Sequence, residues 1–273
     1  MLKQRVITAL VLGSLAVWGV LALPPTWFAL IILAVLLLGA WEWGGLLGLS
    51  IPIGRLIYAL LLTLLAGIVW LFREQPLLVW ILLAPIGLFW CAVLLWLWRQ
   101  ARGGQHPLPA LAWELTGFAV LLPPFAALLA LRVAPERGPA FVLFLLLLIW
   151  LADSVAYFAG RRWGKNKLAP AISPGKTREG ALAALAAAPL FALVGAPLLG
   201  LPAGQWLLFM VICLVTVLFS IAGDLFESLI KRQHGAKDSG DLLPGHGGVL
   251  DRIDSLTAAA PIFVLALQGL PAR

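Results

Sequence analysis

The residues of this chain that could do chemistry are concentrated in one stretch, from Ser228 to Asp254, with the sequence SLIKRQHGAKDSGDLLPGHGGVLDRID. It contains four aspartates, four basic residues and five glycines, and it lies between two apolar segments. An unpaired charge at membrane depth costs several kcal/mol, so charges at this density indicate a function. Carboxylates, basic side chains and glycines in one loop are typical of a site that binds a polyanion together with a metal ion.

Carboxylates also occur in the apolar segment that leads into this stretch. Four residues there follow an i, i+3, i+4, i+7 spacing and therefore share one helix face: Asp224, Glu227, Ser228 and Lys231. Two carboxylates stacked on one face repel each other unless a cation lies between them. The structural alternatives are a pairing of Glu227 with Lys231 and a helix–helix hydrogen bond of Asp224.

A second carboxylate pair, Asp251 and Asp254, repeats the i, i+3 spacing where the last apolar segment begins. The alternative to a metal-binding role is that Asp254 or Ser255 caps the helix that starts there. The sequence leaves both interpretations open.

Between the two carboxylate pairs lies a glycine-rich loop. Glycines at 245, 247 and 248 let the backbone approach a ligand and direct successive N–H groups at an anion. Oxygen ligands shared with substrate phosphates are what Mg²⁺ prefers, whereas His234 and His246 alone support a zinc site poorly. The alternative is a plain turn with His246 on the surface. Positive charge around the loop comes from Lys231, Arg232, Lys237 and Arg252.

A second charged segment, residues 161–180, reads RRWGKNKLAPAISPGKTREG. Its Gly175-Lys176-Thr177 resembles the end of a P-loop, but Pro170 stands where the earlier glycine is needed and no strand precedes it, so that motif is excluded. Four residues remain candidates for holding phosphate: Ser173, Lys176, Thr177 and Arg178. In the preceding apolar segment, Asp153 and Tyr157 are candidates to face the same cavity. The alternative is a basic segment that only determines topology.

Composition places the chain in a membrane. Mean hydropathy is +1.02, 62% of residues are hydrophobic and only 11% are charged, against about 25% in soluble domains. Both cysteines lie in apolar runs, which excludes a disulfide framework or a thiolate metal site. We predict an all-α, polytopic membrane protein with about nine transmembrane helices of roughly 20 residues each, near 6–23, 26–44, 56–72, 76–98, 109–131, 139–160, 180–200, 204–230 and 255–271.

The basic residues predict the orientation. With nine spans, four of the 19 basic residues fall on one side, and the other 15 fall on the side of the N-terminus. The positive-inside rule places that side, with both charged segments and the N-terminus, in the cytoplasm. The net charge of +7 follows from this topology and from anionic lipid head groups, and needs no nucleic acid partner.

The motifs resemble those of the phosphatidate cytidylyltransferases (CDP-diacylglycerol synthases), and a chain of this length resembles the bacterial form. The similarity runs without a gap through Ser228–Asp254 and includes Gly223-Asp224-Leu225. It extends to Asp153-Ser154-x-Ala156-Tyr157 and to Ile172-Ser173-Pro174-Gly175-Lys176-Thr177-x-Glu179-Gly180. The resemblance therefore implies N-terminal anchor helices over 1–138 and a catalytic membrane region over 139–273.

The resemblance also implies an activity: transfer of CMP from CTP to phosphatidate, giving CDP-diacylglycerol and pyrophosphate, in the bacterial inner membrane with the site facing the cytoplasm. Mg²⁺ is the implied cofactor, with a second cation left open. The implied catalytic residues are Asp224, Asp251, Lys231 and Lys237. Asp224 and Asp251 are the first candidates for metal ligands, followed by Asp254 and Asp238. The implied substrate-binding residues are Ser173, Lys176, Arg178, Ser228, Arg232, His246, Gly247, Gly248 and Arg252.

Two other functions are compatible with intramembrane charge. A transporter for an anionic solute would favour paired half-repeats, but the charges here are confined to one half of the chain. A CTP-dependent kinase of polyprenol or another lipid would transfer the γ-phosphoryl group instead of CMP. The oligomeric state is open, a homodimer included.

Overall fold

The chain folds into a bundle of long helices. The structure, a computed structural model, describes residues 2–49, 52–101, 110–134, 137–242 and 247–270, so Gly245 and His246 lie outside the described residues. Nine α-helices occur in these ranges: α1 Leu2–Ala22, α2 Pro25–Leu46, α3 Pro52–Leu71, α4 Pro76–Ala101, α5 Ala110–Val133, α6 Gly138–Trp163, α7 Arg178–Leu198, α8 Trp206–Gln233 and α9 Leu250–Leu267. Each predicted apolar segment corresponds to one of them.

Seven of the helices, α2 to α8, are long and apolar enough to cross a membrane, by length and composition within the described residues. Within α1, the part whose side chains are described, Leu10–Ala22, is an apolar helix shorter than these seven. The 18 residues of α9 include Asp251, Arg252 and Asp254 near its start. The predicted class, an all-helical polytopic membrane protein, is confirmed.

Prolines interrupt neither α5 nor α7. Pro123 and Pro124 lie inside α5, and Pro189 lies inside α7. Proline removes one backbone donor and bends a helix, and neighbouring helices support the bend in a membrane protein. Both helices therefore continue through their prolines.

The core is centred on α8, which packs against α9, α7 and α4, while α5 packs against α2 and α9. Phe226 of α8 is buried in an aromatic cluster with Trp90 and Trp96 of α4 and Trp113 of α5, at ring-centroid distances of 5.7, 6.0 and 6.4 Å. Because Asp224 and Glu227 flank Phe226 in sequence, this cluster fixes the helix that carries them.

The segment between α6 and α7 contains a short antiparallel hairpin that the sequence did not predict. Strand β1, Lys167–Ala169, pairs with β2, Ser173–Thr177, with Lys167 opposite Thr177. The Thr177 hydroxyl then caps α7 by accepting a hydrogen bond from the Gly180 N–H at 3.2 Å. The hairpin gives the second charged segment a fixed shape and fixes where Lys176 lies.

Helix α9 begins at Leu250, five residues before the predicted ninth segment. The interpretation that Asp254 or Ser255 caps this helix is therefore wrong, since both lie inside it. The N–H groups of Val249 and Leu250, at its true start, donate to the carboxylate of Glu42 in α2. The cap comes from a distant helix, which a local pattern cannot reveal.

Candidate active site

An ion pair joins the second charged segment to α8, the helix that leads into the first charged segment. The Lys176 ammonium of β2 contacts Oδ2 of Asp224 in α8, and both side chains are about a quarter exposed, at 26% and 29%. The hairpin directs Lys176 to α8, and the aromatic cluster around Phe226 holds α8 in place. Residues that the sequence assigned to two separate segments therefore form one cluster.

Lys231 lies between two further carboxylates. Its Nζ is 3.4 Å from Oε2 of Glu227, one turn earlier on α8, and 2.5 Å from Oδ1 of Asp251 on α9. The pairing of Glu227 with Lys231, given above as the structural alternative to a cation site, is present. Both carboxylate oxygens of Glu227 are buried and make no hydrogen bond to the described residues. A buried carboxylate that lies beside both Lys231 and the Asp254 carboxyl is suited to hold a cation.

The other oxygen of Asp251 is held by the loop. Oδ2 accepts hydrogen bonds from the Ser239 N–H at 3.0 Å, the Ser239 hydroxyl at 2.9 Å and the Gly248 N–H at 2.8 Å. Burial acts to raise the pKa of Asp251, but the hydrogen bonds from Lys231, Ser239 and Gly248 outweigh it and hold the pKa below its ordinary value. Asp251 is therefore a fixed anion in the first turn of α9.

The remaining carboxylates of the cluster interact through their charges. Asp254 of α9 interacts electrostatically with Asp224 and Glu227, and Asp153 of α6 interacts with Asp224 and with Arg252. The expectation that Asp153 faces the same cavity as the second charged segment is supported by its interaction with Lys176.

Gly223 lets α8 and α9 approach each other at this point. A Cβ at this position would lie 2.5 Å from the backbone oxygen of Asp254 and 3.2 Å from Cβ of Ala258. The missing side chain therefore lets Asp224, the next residue, lie close to Asp254 on the facing helix.

The donor set of the cluster fits a hard divalent cation, because it consists of carboxylate oxygens. Among the described residues, no three His, Cys, Asp or Glu side chains converge on one metal position. The ammonium groups of Lys176 and Lys231 neutralise the carboxylates instead. Metal ligation by Asp224, Asp251, Asp254 and Asp238 stays a prediction.

Other predicted site residues lie around the cluster. Ser228 is half-buried on α8, and Ser173, the first residue of β2, is half-buried too. Gly247 has a left-handed φ of 77°, and its Cα hydrogen faces Asp251. Five predicted residues are exposed and available to a soluble ligand: Arg178, Arg232, Lys237, Asp238 and Arg252. His246 lies outside the described residues.

Two residues at the cluster were not predicted. Glu42 of α2 is buried, with 5% of its surface exposed, and it accepts a hydrogen bond from the Ser239 hydroxyl at 3.0 Å. Ser239 in turn donates to Asp251. A lone glutamate in an apolar segment is itself an indication of function, so the argument applied to Asp224 could also have identified Glu42.

Fold and site together define a polytopic membrane protein with a cluster of lysines and carboxylates formed by the second charged segment, α8 and α9. Residues 3–270 match the model of the cytidylyltransferase family. The chain is 42% identical to the phosphatidate cytidylyltransferase of Pseudomonas aeruginosa over 279 residues, which cover 98% of this chain and 97% of that protein. It is 38% identical to the phosphatidate cytidylyltransferase of Haemophilus influenzae over 286 residues, covering 96% of this chain and 97% of the relative.

The chain is 38% identical to the phosphatidate cytidylyltransferase of Brucella abortus over 271 residues, which cover 97% of this chain and 92% of that protein. The chain belongs to the cytidylyltransferase family. The family and the enzyme class predicted from the motifs are confirmed.

Proposed function

We propose that this protein transfers CMP from CTP to phosphatidate, forming CDP-diacylglycerol and pyrophosphate. The observation that carries the proposal is the ion pair between Lys176 and Asp224, which brings the second charged segment onto α8, the helix that leads into the first charged segment. The full-length similarity to phosphatidate cytidylyltransferases supports the choice of substrates.

The reaction needs little covalent help from the protein. A phosphate oxygen of phosphatidate attacks the α-phosphorus of CTP, the bond from that phosphorus to the β-phosphate oxygen breaks, and pyrophosphate leaves with that oxygen. Because the attacking oxygen is already ionised, no base is required. The main barrier is repulsion among anions, so preorganised positive charge is the largest contribution a protein can make. In this chain Lys176 and Lys231 are the partly buried cations of the cluster.

A divalent cation, when bound, would neutralise charge on the attacking and leaving oxygens. Asp224 and Asp251 are the first candidates to hold it, and the unsatisfied buried Glu227 is a third. Arg178, Arg232 and Lys237 are exposed basic residues of the two charged segments, and they are suited to guide a triphosphate towards the site.

We place the reaction at the cytoplasmic face of the bacterial inner membrane. The support is the positive-inside distribution of basic residues together with the meeting of both charged segments at one end of the bundle. CTP would enter from the cytoplasm and phosphatidate from the surrounding lipid. Because one chain supplies every side chain of the cluster, the proposal does not depend on a homodimer.

The test is the fate of labelled CTP. The detergent-purified protein is incubated with phosphatidate, Mg²⁺ and CTP radiolabelled at either the α- or the γ-phosphate, and lipid and aqueous products are separated. We expect α-label in the lipid and γ-label in pyrophosphate. Transfer of γ-label to a lipid would replace the proposal with a kinase, and intact CTP with no labelled lipid would refute an enzyme of this kind.

Two lysine variants test whether the activity depends on the cluster. Lys176→Met keeps the apolar stem but removes the charge that faces Asp224, whereas Lys165→Met makes the same change at an exposed position of the same segment. We expect the first variant to lose most of its transfer of α-label and the second to keep it.

A further inference from the structure

Glu42 lies near the end of α2 in the sequence LLLGAWEWGGL, far in the chain from the charged segments. Only 5% of its surface is exposed. A carboxylate buried at such a place destabilises the protein unless donors compensate it. The hydrogen-bond donors that contact Glu42 therefore indicate its role.

The donors belong to the loop between α8 and α9 and to the first turn of α9. Oε1 of Glu42 accepts a hydrogen bond from the Val249 N–H at 2.9 Å, and Oε2 accepts from the Leu250 N–H at 2.8 Å. The first N–H groups of a helix have no acceptor within the helix, and negative charge there is favourable. Glu42 thus fixes the position of the first turn of α9, the turn that carries Asp251.

A serine connects Glu42 to Asp251. The Ser239 hydroxyl lies 3.0 Å from Oε2 of Glu42 and 2.9 Å from Oδ2 of Asp251. Since Oδ2 of Asp251 is occupied by the loop, its Oδ1 is left to face Lys231 at 2.5 Å. The orientation of the Asp251 carboxylate therefore depends on contacts that Glu42 organises.

Two glycines of the loop make room for Glu42. A Cβ at Gly240 would lie 2.8 Å from Oε1 of Glu42, and a Cβ at Gly248 would overlap both Oε2 of Glu42 and the Ser239 hydroxyl. The sequence pattern attributed Gly248, but not Gly240, to the close approach of a ligand. At these two positions the group that approaches is the Glu42 side chain.

We propose that Glu42 is a positioning residue for the reaction: by holding Ser239 and the first turn of α9, it orients Asp251 and, through it, Lys231. This inference rests on the proposed CMP transfer. It gives the N-terminal helices a part in the site beyond anchoring in lipid.

The test compares Glu42→Gln with the wild type. Glutamine has nearly the same size, but its amide nitrogen replaces one oxygen and would face the N–H of Val249 or Leu250. Losing a hydrogen bond to a charged acceptor should lower kcat by about 10- to 100-fold, while KM for CTP and for phosphatidate changes by less than about threefold. Glu74→Gln, at an exposed glutamate, is the matched control and should keep wild-type kcat.

A second measurement does not depend on turnover. Lys237 is exposed in the loop that Glu42 anchors. Without substrates, trypsin should cut after Lys237 faster in Glu42→Gln than in the wild type or in Glu74→Gln. The reason is that a hydrogen bond between residue 42 and the loop region is lost. Ser239→Ala, which removes the bridge but keeps both backbone contacts of Glu42, should show a smaller loss of kcat than Glu42→Gln.

The outcomes separate the two proposals. If the wild type makes no CDP-diacylglycerol, the proposed function fails, whatever Glu42 does to the loop. If the wild type is active and folded Glu42→Gln has unchanged kcat and unchanged trypsin cleavage, the positioning role is refuted. Faster unfolding of Glu42→Gln with unchanged kcat per folded molecule would refute it too, because Glu42 would then serve stability alone.

Discussion

Replacing Asp251 by asparagine separates the charge of this side chain from its shape. In the native structure one oxygen accepts three hydrogen bonds from Ser239 and Gly248, and the other pairs with Lys231 at 2.5 Å. The amide oxygen of asparagine can take the place of the first oxygen and keep all three loop contacts. The amide nitrogen then faces Lys231, so the variant loses the ion pair and one negative charge of the cluster.

The expected effects on stability and on activity differ in size. Lys231 keeps Glu227 as a partner at 3.4 Å, so its ammonium is not left buried and unpaired. The loss in unfolding free energy should stay near the value of one charged hydrogen bond, about 1.5–3 kcal/mol. Removing a preorganised electrostatic group from a reaction centre lowers kcat by about 10²- to 10³-fold, and the loss of a cation ligand would add to it.

The assay is CDP-diacylglycerol formation by purified protein at limiting Mg²⁺, with thermal unfolding followed in parallel. Asp241→Asn is the matched control, because Asp241 is an exposed aspartate in the loop between α8 and α9. This variant should keep wild-type turnover. Near-normal kcat in Asp251→Asn would refute the assignment of Asp251 to the reaction centre. Loss of folded protein without loss of activity per folded molecule would refute it equally.

Three further predictions concern packing, sidedness and mechanism. Gly223→Ala places a Cβ 2.5 Å from the Asp254 backbone oxygen and should lower the free energy of unfolding by about 1–3 kcal/mol. The control Gly67→Ala, which has open space around it, should not lower the unfolding temperature. Equal effects of the two variants would contradict the packing argument. Cysteines at the exposed positions Lys165 and Asp241, in a variant without the native cysteines, should resist a membrane-impermeant thiol reagent in intact cells, and labelling of either would refute the cytoplasmic placement. Labelled pyrophosphate should not exchange into CTP without lipid, because direct attack needs both substrates; exchange near the turnover rate would show a CMP-enzyme instead.

Local patterns in the sequence predicted the contacts that lie within one helix. Helical spacing placed Glu227 one turn from Lys231, and the structure has their charged atoms 3.4 Å apart. Hydropathy located the nine helices because a spanning helix needs a long apolar run. Both predictions rest on interactions among neighbours in the chain.

Contacts between distant segments could not be predicted in this way. Glu42 and Ser239 are 197 residues apart in sequence, and only the packing of α2 against α9 brings them together. The start of α9 was missed for the same reason, since its first N–H groups bind Glu42 instead of a local cap.

The hairpin was missed because strands of three and five residues are too short for an alternating pattern to stand out. Its contribution to the site, the contact of Lys176 with Asp224, again depends on two segments far apart in the chain.

The central claim is that the cluster containing Lys176 of the second charged segment and Asp224 of α8 carries out CMP transfer. The most direct measurement is the stoichiometry of products in wild type and Lys176→Met, with CTP consumed, CDP-diacylglycerol formed and pyrophosphate released quantified in the same reaction. The account predicts equal molar amounts of all three in the wild type and a parallel loss of both products in the variant. Wild-type rates in folded Lys176→Met, or CTP consumption without CDP-diacylglycerol, would contradict it.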